Sequence, residues 1–129
     1  MLVNGILNPA INSLLSRVRH TNTLIIADRG FPYFPGVETV DISLVSGIPS
    51  VVEVLRAIRL NCSYGKCAMA AEFREVNSPE TVTMYEEALS GVSITWEPHS
   101  LLKARVLGVI GIIRTGDTTR FGNVVLESS

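Results

Sequence analysis

The sequence predicts an α/β fold in which helices cover both faces of a central sheet. Helical and strand-like patterns alternate along the whole chain, which is typical of α/β domains. The chain has 129 residues, which fits one domain, and 47% of them are hydrophobic, which is ample for a core. No repeat, linker or low-complexity segment divides it. We therefore treat residues 1–129 as a single domain.

The N-terminal quarter predicts one helix followed by one strand. Asn8 and Pro9 form the pattern of an N-cap with proline at the first helical position, and an apolar stripe carries the helix to about His20. The unbroken apolar run Thr23–Ala27 contains β-branched residues, which indicates a buried strand. A loop rich in glycine and proline follows this strand.

The middle of the chain predicts a second strand and a second helix. The strand is expected within Val37–Leu44. Ser50 and Glu53 have the spacing of a capping box, which opens the helix. The segment Lys66–Phe73 stays ambiguous, because its alanines suit a helix and its position suits a strand.

The C-terminal half predicts a helix that begins at Ser78-Pro79, a short helical turn at Leu101–Ala104 and a chain turn at Thr115–Asp117. Three strands complete the sheet. They are expected at Ser93–Glu97, Val106–Ile113 and Val124–Leu126.

Charge and hydropathy narrow the class of protein. The 11 basic and 12 acidic residues nearly balance without a basic cluster, so the sequence indicates neither nucleic-acid binding nor binding to an anionic membrane. Only 18% of the residues are charged, and the mean hydropathy is +0.33. We therefore expect a closed homo-oligomer larger than a dimer, because monomers rarely expose large apolar patches.

Targeting and redox signals are weak. The N-terminal segment lacks the cationic region and cleavage site of a signal peptide, and the apolar run Val106–Ile113 is too short to span a bilayer, so we expect a cytoplasmic protein. Cys62 and Cys67 match neither a zinc pair nor a CxxC redox motif. We expect both to be free thiols.

Several common catalytic motifs are missing. The chain has no G-x-S-x-G motif, and its two histidines, His20 and His99, belong to no metal-binding pattern. Gly108 and Gly111 precede no predicted helix, so they do not form a phosphate-binding loop. We therefore expect no metal site.

Acid/base chemistry remains as the functional interpretation. His20, Asp28 and His99 are the candidates, assisted by polar groups in residues 115–123, because histidine changes charge near neutral pH. The structural interpretation is that His20 ends a helix, Asp28 ends a strand and His99 lies on the surface. If His20 ends a helix, the helix dipole favours its protonated form, which suits a proton donor.

Six short motifs, in order and with compatible spacing over nearly the whole chain, resemble the D-ribose pyranase and L-fucose mutarotase (RbsD/FucU) family. The motifs are Gly5-Ile6-Leu7-Asn8, His20-Thr21-Asn22-Thr23, Ala27-Asp28-Arg29-Gly30-Phe31-Pro32, Val40-Asp41-Ile42-Ser43-Leu44, Gly47-Ile48-Pro49-Ser50 and Ile113-Arg114-Thr115-Gly116-Asp117.

The resemblance implies a three-layer α/β/α sandwich with a central mixed sheet, assembled into a ring-shaped homo-oligomer, commonly a decamer. It implies a cofactor-free isomerase that interconverts ring or anomeric forms of a free monosaccharide, with a ribose-like sugar favoured. The alternatives are an L-fucose-type mutarotase and a non-catalytic sugar-binding or regulatory module of the same fold.

The resemblance also assigns site residues. The catalytic residue is His20, and the sugar contacts are Asp28, His99, Phe121, Gly122 and Asn123. The family pattern reads Tyr-x-Asn where this chain has Phe121-Gly122-Asn123, so a phenolic hydroxyl is missing here.

His20 and Asp28 lie at the two ends of one predicted strand. Extended chain between them spans up to roughly 26 Å at 3.3 Å per residue. The two residues can share one site only if the chain curls sharply or if neighbouring subunits contribute. Because the apolar composition agrees with the second option, we expect the catalytic site to form at a subunit interface.

Overall fold

The computed structural model describes all residues, 1–129, and contains one six-stranded sheet. The strands are β1 Thr23–Ala27, β2 Thr39–Asp41, β3 Tyr64–Ala70, β4 Ser93–Glu97, β5 Gly111–Arg114 and β6 Val124–Ser128. The helices are α1 Pro9–Ser16, α2 Val51–Arg59, α3 Glu72–Val76, α4 Pro79–Ala88 and α5 His99–Ala104, and a 3₁₀ helix follows at Arg105–Gly108.

The sheet is mixed, in the order β2-β5-β1-β6-β3-β4. β1 and β2 run parallel to β5, β3 runs parallel to β4, and β6 runs antiparallel to both β1 and β3. Five strands therefore end at one edge of the sheet, and β6 begins there. The α/β prediction with a mixed central sheet is confirmed.

Two hydrophobic cores lie on opposite faces of the sheet, because alternate side chains of a strand point to opposite sides. Leu24 and Ile26 of β1 join the larger core, to which α1, α2, α3 and α4 contribute. Ile25 and Ala27 join the smaller core, which α5 and the 3₁₀ helix cover through Leu102 and Val106. Helices thus pack on both faces.

Local sequence signals set the starts of the three longest helices. The Asn8 side chain accepts the Ile11 N–H, and the Ser78 side chain accepts the Thr81 N–H. Ser50 and Glu53 form the predicted capping box. Each side chain satisfies an N–H group that the helix itself leaves without a partner.

The prediction of one long strand over Val106–Ile113 was wrong. Val106 lies in the 3₁₀ helix, and β5 starts only at Gly111. Leu102 and Val106 are both buried in the smaller core, a helical spacing that brings the two side chains onto one face. The apolar residues of this segment therefore extend a helix before they enter the sheet.

Two further boundaries differ from the predictions. Only Thr39–Asp41 of the expected Val37–Leu44 strand pairs with β5, because the Asp41 carboxylate accepts the Ser43 N–H and turns the chain. α1 ends at Ser16, so His20 does not lie in its last turn.

The structure also decides the segment that the sequence left ambiguous. The ambiguous segment from Lys66 is strand up to Ala70, and α3 begins at Glu72.

Cys62 and Cys67 are free, and burial raises the pKa of the Cys67 thiol to about 12. None of the helices has both the length and the apolar character that crossing a membrane requires.

Candidate functional site

The candidate site lies at the sheet edge where the parallel strands end. Asp28 directly follows β1, His99 begins α5 just after β4, and Asn123 directly precedes β6. These residues meet because parallel strands present their carboxyl ends at one edge, where ligands of open α/β sheets commonly bind. The cavity has a volume of about 240 Å³. It is lined by Asp28, Gly30, Phe31, Pro32, His99, Arg120, Phe121 and Asn123.

Asn123 and Asp28 are joined at the base of this cavity. The Asn123 Oδ1 accepts the backbone N–H of Asp28 at 2.8 Å, and Asn123 is only 2% exposed. The Asp28 Oδ1 accepts the Gly30 N–H at 2.9 Å. Burial raises the pKa of the Asp28 carboxyl, and hydrogen bonds from Gly30 and Asn123 oppose that rise. Asp28 is thus a fixed, partly desolvated hydrogen-bond acceptor.

The His99 ring is held in place by its backbone and by an aromatic neighbour. The backbone N–H of His99 donates to both carboxylate oxygens of Glu72 at 3.1 Å. The ring meets that of Phe121 edge to face, with 5.1 Å between centroids. The Nδ1 atom is buried and has no hydrogen-bond partner. His99 also lines the cavity, so its ring can contact a ligand there.

The turn that carries Phe121 has unusual backbone geometry. Gly122 N–H donates to the Thr119 carbonyl, and Phe121 has φ 56° in the left-handed region, which is rare for a bulky side chain. A side chain at Gly122 would collide with the Tyr85 hydroxyl. The close approach of this turn to α4 therefore requires glycine at position 122.

Asp117 fixes this turn to the body of the protein. Its Oδ2 accepts the Val51 N–H at the start of α2 at 2.7 Å and the Tyr85 hydroxyl at 3.4 Å. Its Oδ1 accepts the Thr119 N–H at 2.7 Å, and its carbonyl accepts the Arg29 N–H at 3.0 Å. The carboxylate and the backbone carbonyl of this one buried residue thus tie α2, α4 and both chain segments of the cavity together.

His20 lies away from this cavity, at the opposite edge of the sheet. It is exposed and lines a second cavity of about 220 Å³ with residues such as Lys66, Glu127 and Ser129. The expectation that it ends a helix was wrong. It lies in a turn closed by the Asn22 Oδ1, which accepts the Arg19 N–H at 2.8 Å, four residues beyond the end of α1 at Ser16.

The structure thus brings together four of the predicted contacts, with Gly122 buried in the turn beside them and His20 apart. Sequence reasoning missed Gly30, Phe31, Pro32 and Arg120 as lining residues. The first three follow Asp28 and Arg29 in the loop rich in glycine and proline, and this loop composition could have identified them. No local sequence pattern identified Arg120 as a lining residue. No group of three or more His, Cys, Asp or Glu side chains is placed to hold a metal ion.

Comparison with known proteins identifies the family. A model of the RbsD / FucU transport protein family matches residues 1–129. The chain belongs to the RbsD/FucU family. Its RbsD/FucU relatives include D-ribose pyranases from Clostridium perfringens strain SM101, 33% identical, and Staphylococcus saprophyticus, 36% identical. Each alignment covers 99% of this chain and 97% of the relative.

Solved RbsD/FucU structures share the fold. Bacillus subtilis RbsD complexed with D-ribose superposes with a TM-score of 0.91 at 29% identity, covering 100% of this chain and 98% of that one. The fucose mutarotase from Streptococcus pneumoniae in complex with L-fucose has a TM-score of 0.79 at 16% identity, covering 95% of this chain and 92% of that one. The second likeness concerns the fold alone.

Proposed function

We propose that this protein is a cofactor-free sugar isomerase that interconverts the ring forms of a free, ribose-like monosaccharide. The observation that supports this most is the cavity at the carboxyl edge of the sheet, which gathers Asp28, His99 and Asn123 beside two aromatic rings. Its volume of about 240 Å³ suits a small ligand. D-ribose pyranases that match this chain almost end to end support the same assignment.

The reaction needs only positioned proton donors and acceptors. A base removes the proton from the anomeric hydroxyl while an acid protonates the ring oxygen. The bond between the anomeric carbon and the ring oxygen then breaks, and a free carbonyl forms. Attack by another hydroxyl closes a ring of different size and returns both protons. Positioned acid/base groups accelerate such steps by about 10² to 10⁴.

Each residue of the proposed site has a separate role in this reaction. Asp28, buried enough that its pKa is raised, accepts hydrogen bonds from sugar hydroxyls. His99 lines the cavity beside Asp28 and can contact the sugar through its ring. Phe31 and Phe121 present apolar faces to the carbon skeleton. His20, the catalytic residue that the family resemblance implies, supplies the mobile proton.

We propose that His20 reaches the cavity from a second subunit. Within one chain, β1 separates the two sites by about 16 Å, given 3.3 Å per residue. Leu44, Val45 and Ile48 are 76%, 56% and 54% exposed, an apolar loop suited to a subunit contact.

This loop adjoins the cavity. Ser46 accepts a hydrogen bond from Arg29, the neighbour of Asp28. A subunit docked on the loop can therefore place its own side chains over Asp28. In a ring-shaped homo-oligomer each subunit docks on the next, so every site can take His20 from a neighbouring subunit. The family resemblance implies a decamer.

Saturation-transfer NMR of free sugars tests the function. With the native protein, we expect accelerated exchange between pyranose and furanose forms of D-ribose, and slower or no acceleration for L-fucose. Faster exchange for L-fucose than for ribose would indicate the fucose-type alternative. Sugar binding in calorimetry without accelerated exchange would indicate a non-catalytic binding module.

A further inference from the structure

Arg120 is a free cation at the candidate site. It lines the cavity, and its guanidinium forms no hydrogen bond and no salt bridge. Most other arginines of the chain bind a carboxylate, a carbonyl or a hydroxyl. These are Arg17, Arg19, Arg29, Arg59, Arg105 and Arg114.

The backbone holds Arg120 in position at the cavity wall. The Asn77 side-chain amide donates to the Arg120 carbonyl at 2.8 Å and to the Phe73 carbonyl at 2.9 Å, which fastens the turn to the end of α3. The next residue, Phe121, has φ 56°. The guanidinium carbon lies 6.0 Å from the centroid of the Phe121 ring. The charged group therefore lies beside the ring that walls the cavity.

Asp28 does not neutralise this charge. The two side chains line the same cavity but form no salt bridge, and the Asp28 carboxylate is engaged with the Gly30 N–H. The cavity thus carries an acceptor for hydroxyl groups and, apart from it, an unpaired cation. A guanidinium presents its donors in a fork that matches a carboxylate or a phosphate with two parallel hydrogen bonds.

We propose that the cavity selects a monosaccharide that carries an anionic substituent, a carboxylate or a phosphate, and that Arg120 binds this substituent. The inference rests on the proposed function and narrows its sugar to one that keeps free the hydroxyls that close the two rings, with the acidic group on another carbon. In this arrangement the sugar hydroxyls face Asp28 and the acidic group lies at the mouth of the cavity beside Phe121. Arg120 acts as a specificity-determining residue.

Matched pairs of sugars test this proposal. Calorimetry compares D-glucuronate with D-glucose, and D-ribose 5-phosphate with D-ribose. The second pair probes binding alone, because its phosphate occupies the oxygen that would close a pyranose ring. We expect the acidic member of at least one pair to bind about 10- to 100-fold more tightly, which is the range for hydrogen bonds to charged groups. The uronate pair and the phosphate pair distinguish the two kinds of acidic group. The preference should weaken as salt concentration rises.

Substitution of Arg120 then tests whether this residue causes the preference for the acidic sugar. Arg120→Gln should bring the affinity ratio of that pair close to one, and Arg120→Lys should retain part of it, since a lysine keeps the charge without the fork. Arg56 is a matched control because it is also exposed and without hydrogen bonds but does not line the cavity. Arg56→Gln should leave the ratio unchanged.

Two results would overturn the inference: equal affinity for both members of both pairs, or a preference that persists in Arg120→Gln. If neutral ribose exchanges rapidly while the affinity ratio is one, the proposed function stands and the inference falls. If no sugar shows accelerated ring exchange, the proposed function falls, and the affinity ratio still decides whether Arg120 binds an acidic group.

Discussion

The side chain of Asn123 holds the backbone of Asp28 through a hydrogen bond of 2.8 Å that joins positions 95 residues apart in the sequence. It connects the start of β6 to the end of β1, which are neighbours in the sheet. Because Asn123 is buried, this contact both stabilises the fold and positions the carboxylate of the site.

Asn123→Ala is expected to reduce both stability and sugar affinity. The change leaves the Asp28 N–H without its partner, which should lower the free energy of unfolding by about 1–3 kcal/mol. Urea denaturation and calorimetry with ribose measure the two effects. Asn61→Ala is the control, since the exposed Asn61 amide only donates to Ala57 within one helix end. Equal effects of the two substitutions would contradict the role of Asn123.

Asp28→Asn is expected to raise the stability of the protein at neutral pH while it weakens activity. Burial raises the pKa of Asp28 from its ordinary value of 3.8, so ionisation of this carboxyl is disfavoured in the folded state. The resulting cost is absent below pH 3.8, where both states hold the proton, and is complete above the raised pKa of the folded protein.

Thermal melts of both proteins as a function of pH measure this effect. The advantage of Asp28→Asn should therefore appear as the pH rises from about 3 to 7 and should vanish in acid. An advantage that is the same at every pH would show that burial of the charge is not its origin.

Subunits that carry different defects are expected to restore activity when they are mixed. His20→Ala and Asp28→Ala should each abolish ring exchange while the oligomer stays intact by light scattering. If each site takes His20 from one subunit and Asp28 from another, random mixing after dissociation should regenerate about a quarter of the sites. Saturation-transfer NMR measures the recovery. A native protein that is monomeric at micromolar concentration would refute the shared site.

Asp117→Asn is expected to loosen the turn that carries Phe121. An amide can accept only through its oxygen, so either Val51 or Thr119 loses its bond to this side chain. We expect a loss of about 1–3 kcal/mol in unfolding free energy and an increased KM with a smaller change in kcat. Asp117→Glu should recover part of both. The exposed Asp41 provides a control, because Asp41→Asn should leave KM unchanged.

Phe121→Tyr is expected to increase the rate of ribose exchange modestly. The substitution restores a phenolic hydroxyl that can bond a sugar hydroxyl or a water, worth about 0.5–1.5 kcal/mol, or at most roughly tenfold. Phe34→Tyr adds the same group to a half-buried ring outside the cavity and should have no effect on exchange. If both variants match the native protein, the hydroxyl at position 121 has no part in binding.

Features that depend on neighbouring residues were predictable from the sequence. The starts of α1, α2 and α4 follow from Asn8, Ser50 and Ser78, because a helix cap is a contact within one turn. β1 was predicted with its observed boundaries, because Thr23–Ala27 is an apolar strand pattern between polar ends. The ordered motifs also pointed to the RbsD/FucU family, to which the chain belongs.

Features that depend on distant residues were decided by the tertiary structure. Pairing of β6 between β1 and β3 brings Asn123 against Asp28, and no local pattern encodes that contact. The apolar run that contains Val106 predicted a strand. This part of the run is helical because Val106 packs into the smaller core on one face of the sheet. The positions of Arg120 beside the cavity and of His20 at the opposite edge follow from the same long-range pairings, because strand order, not sequence distance, determines which side chains share a site.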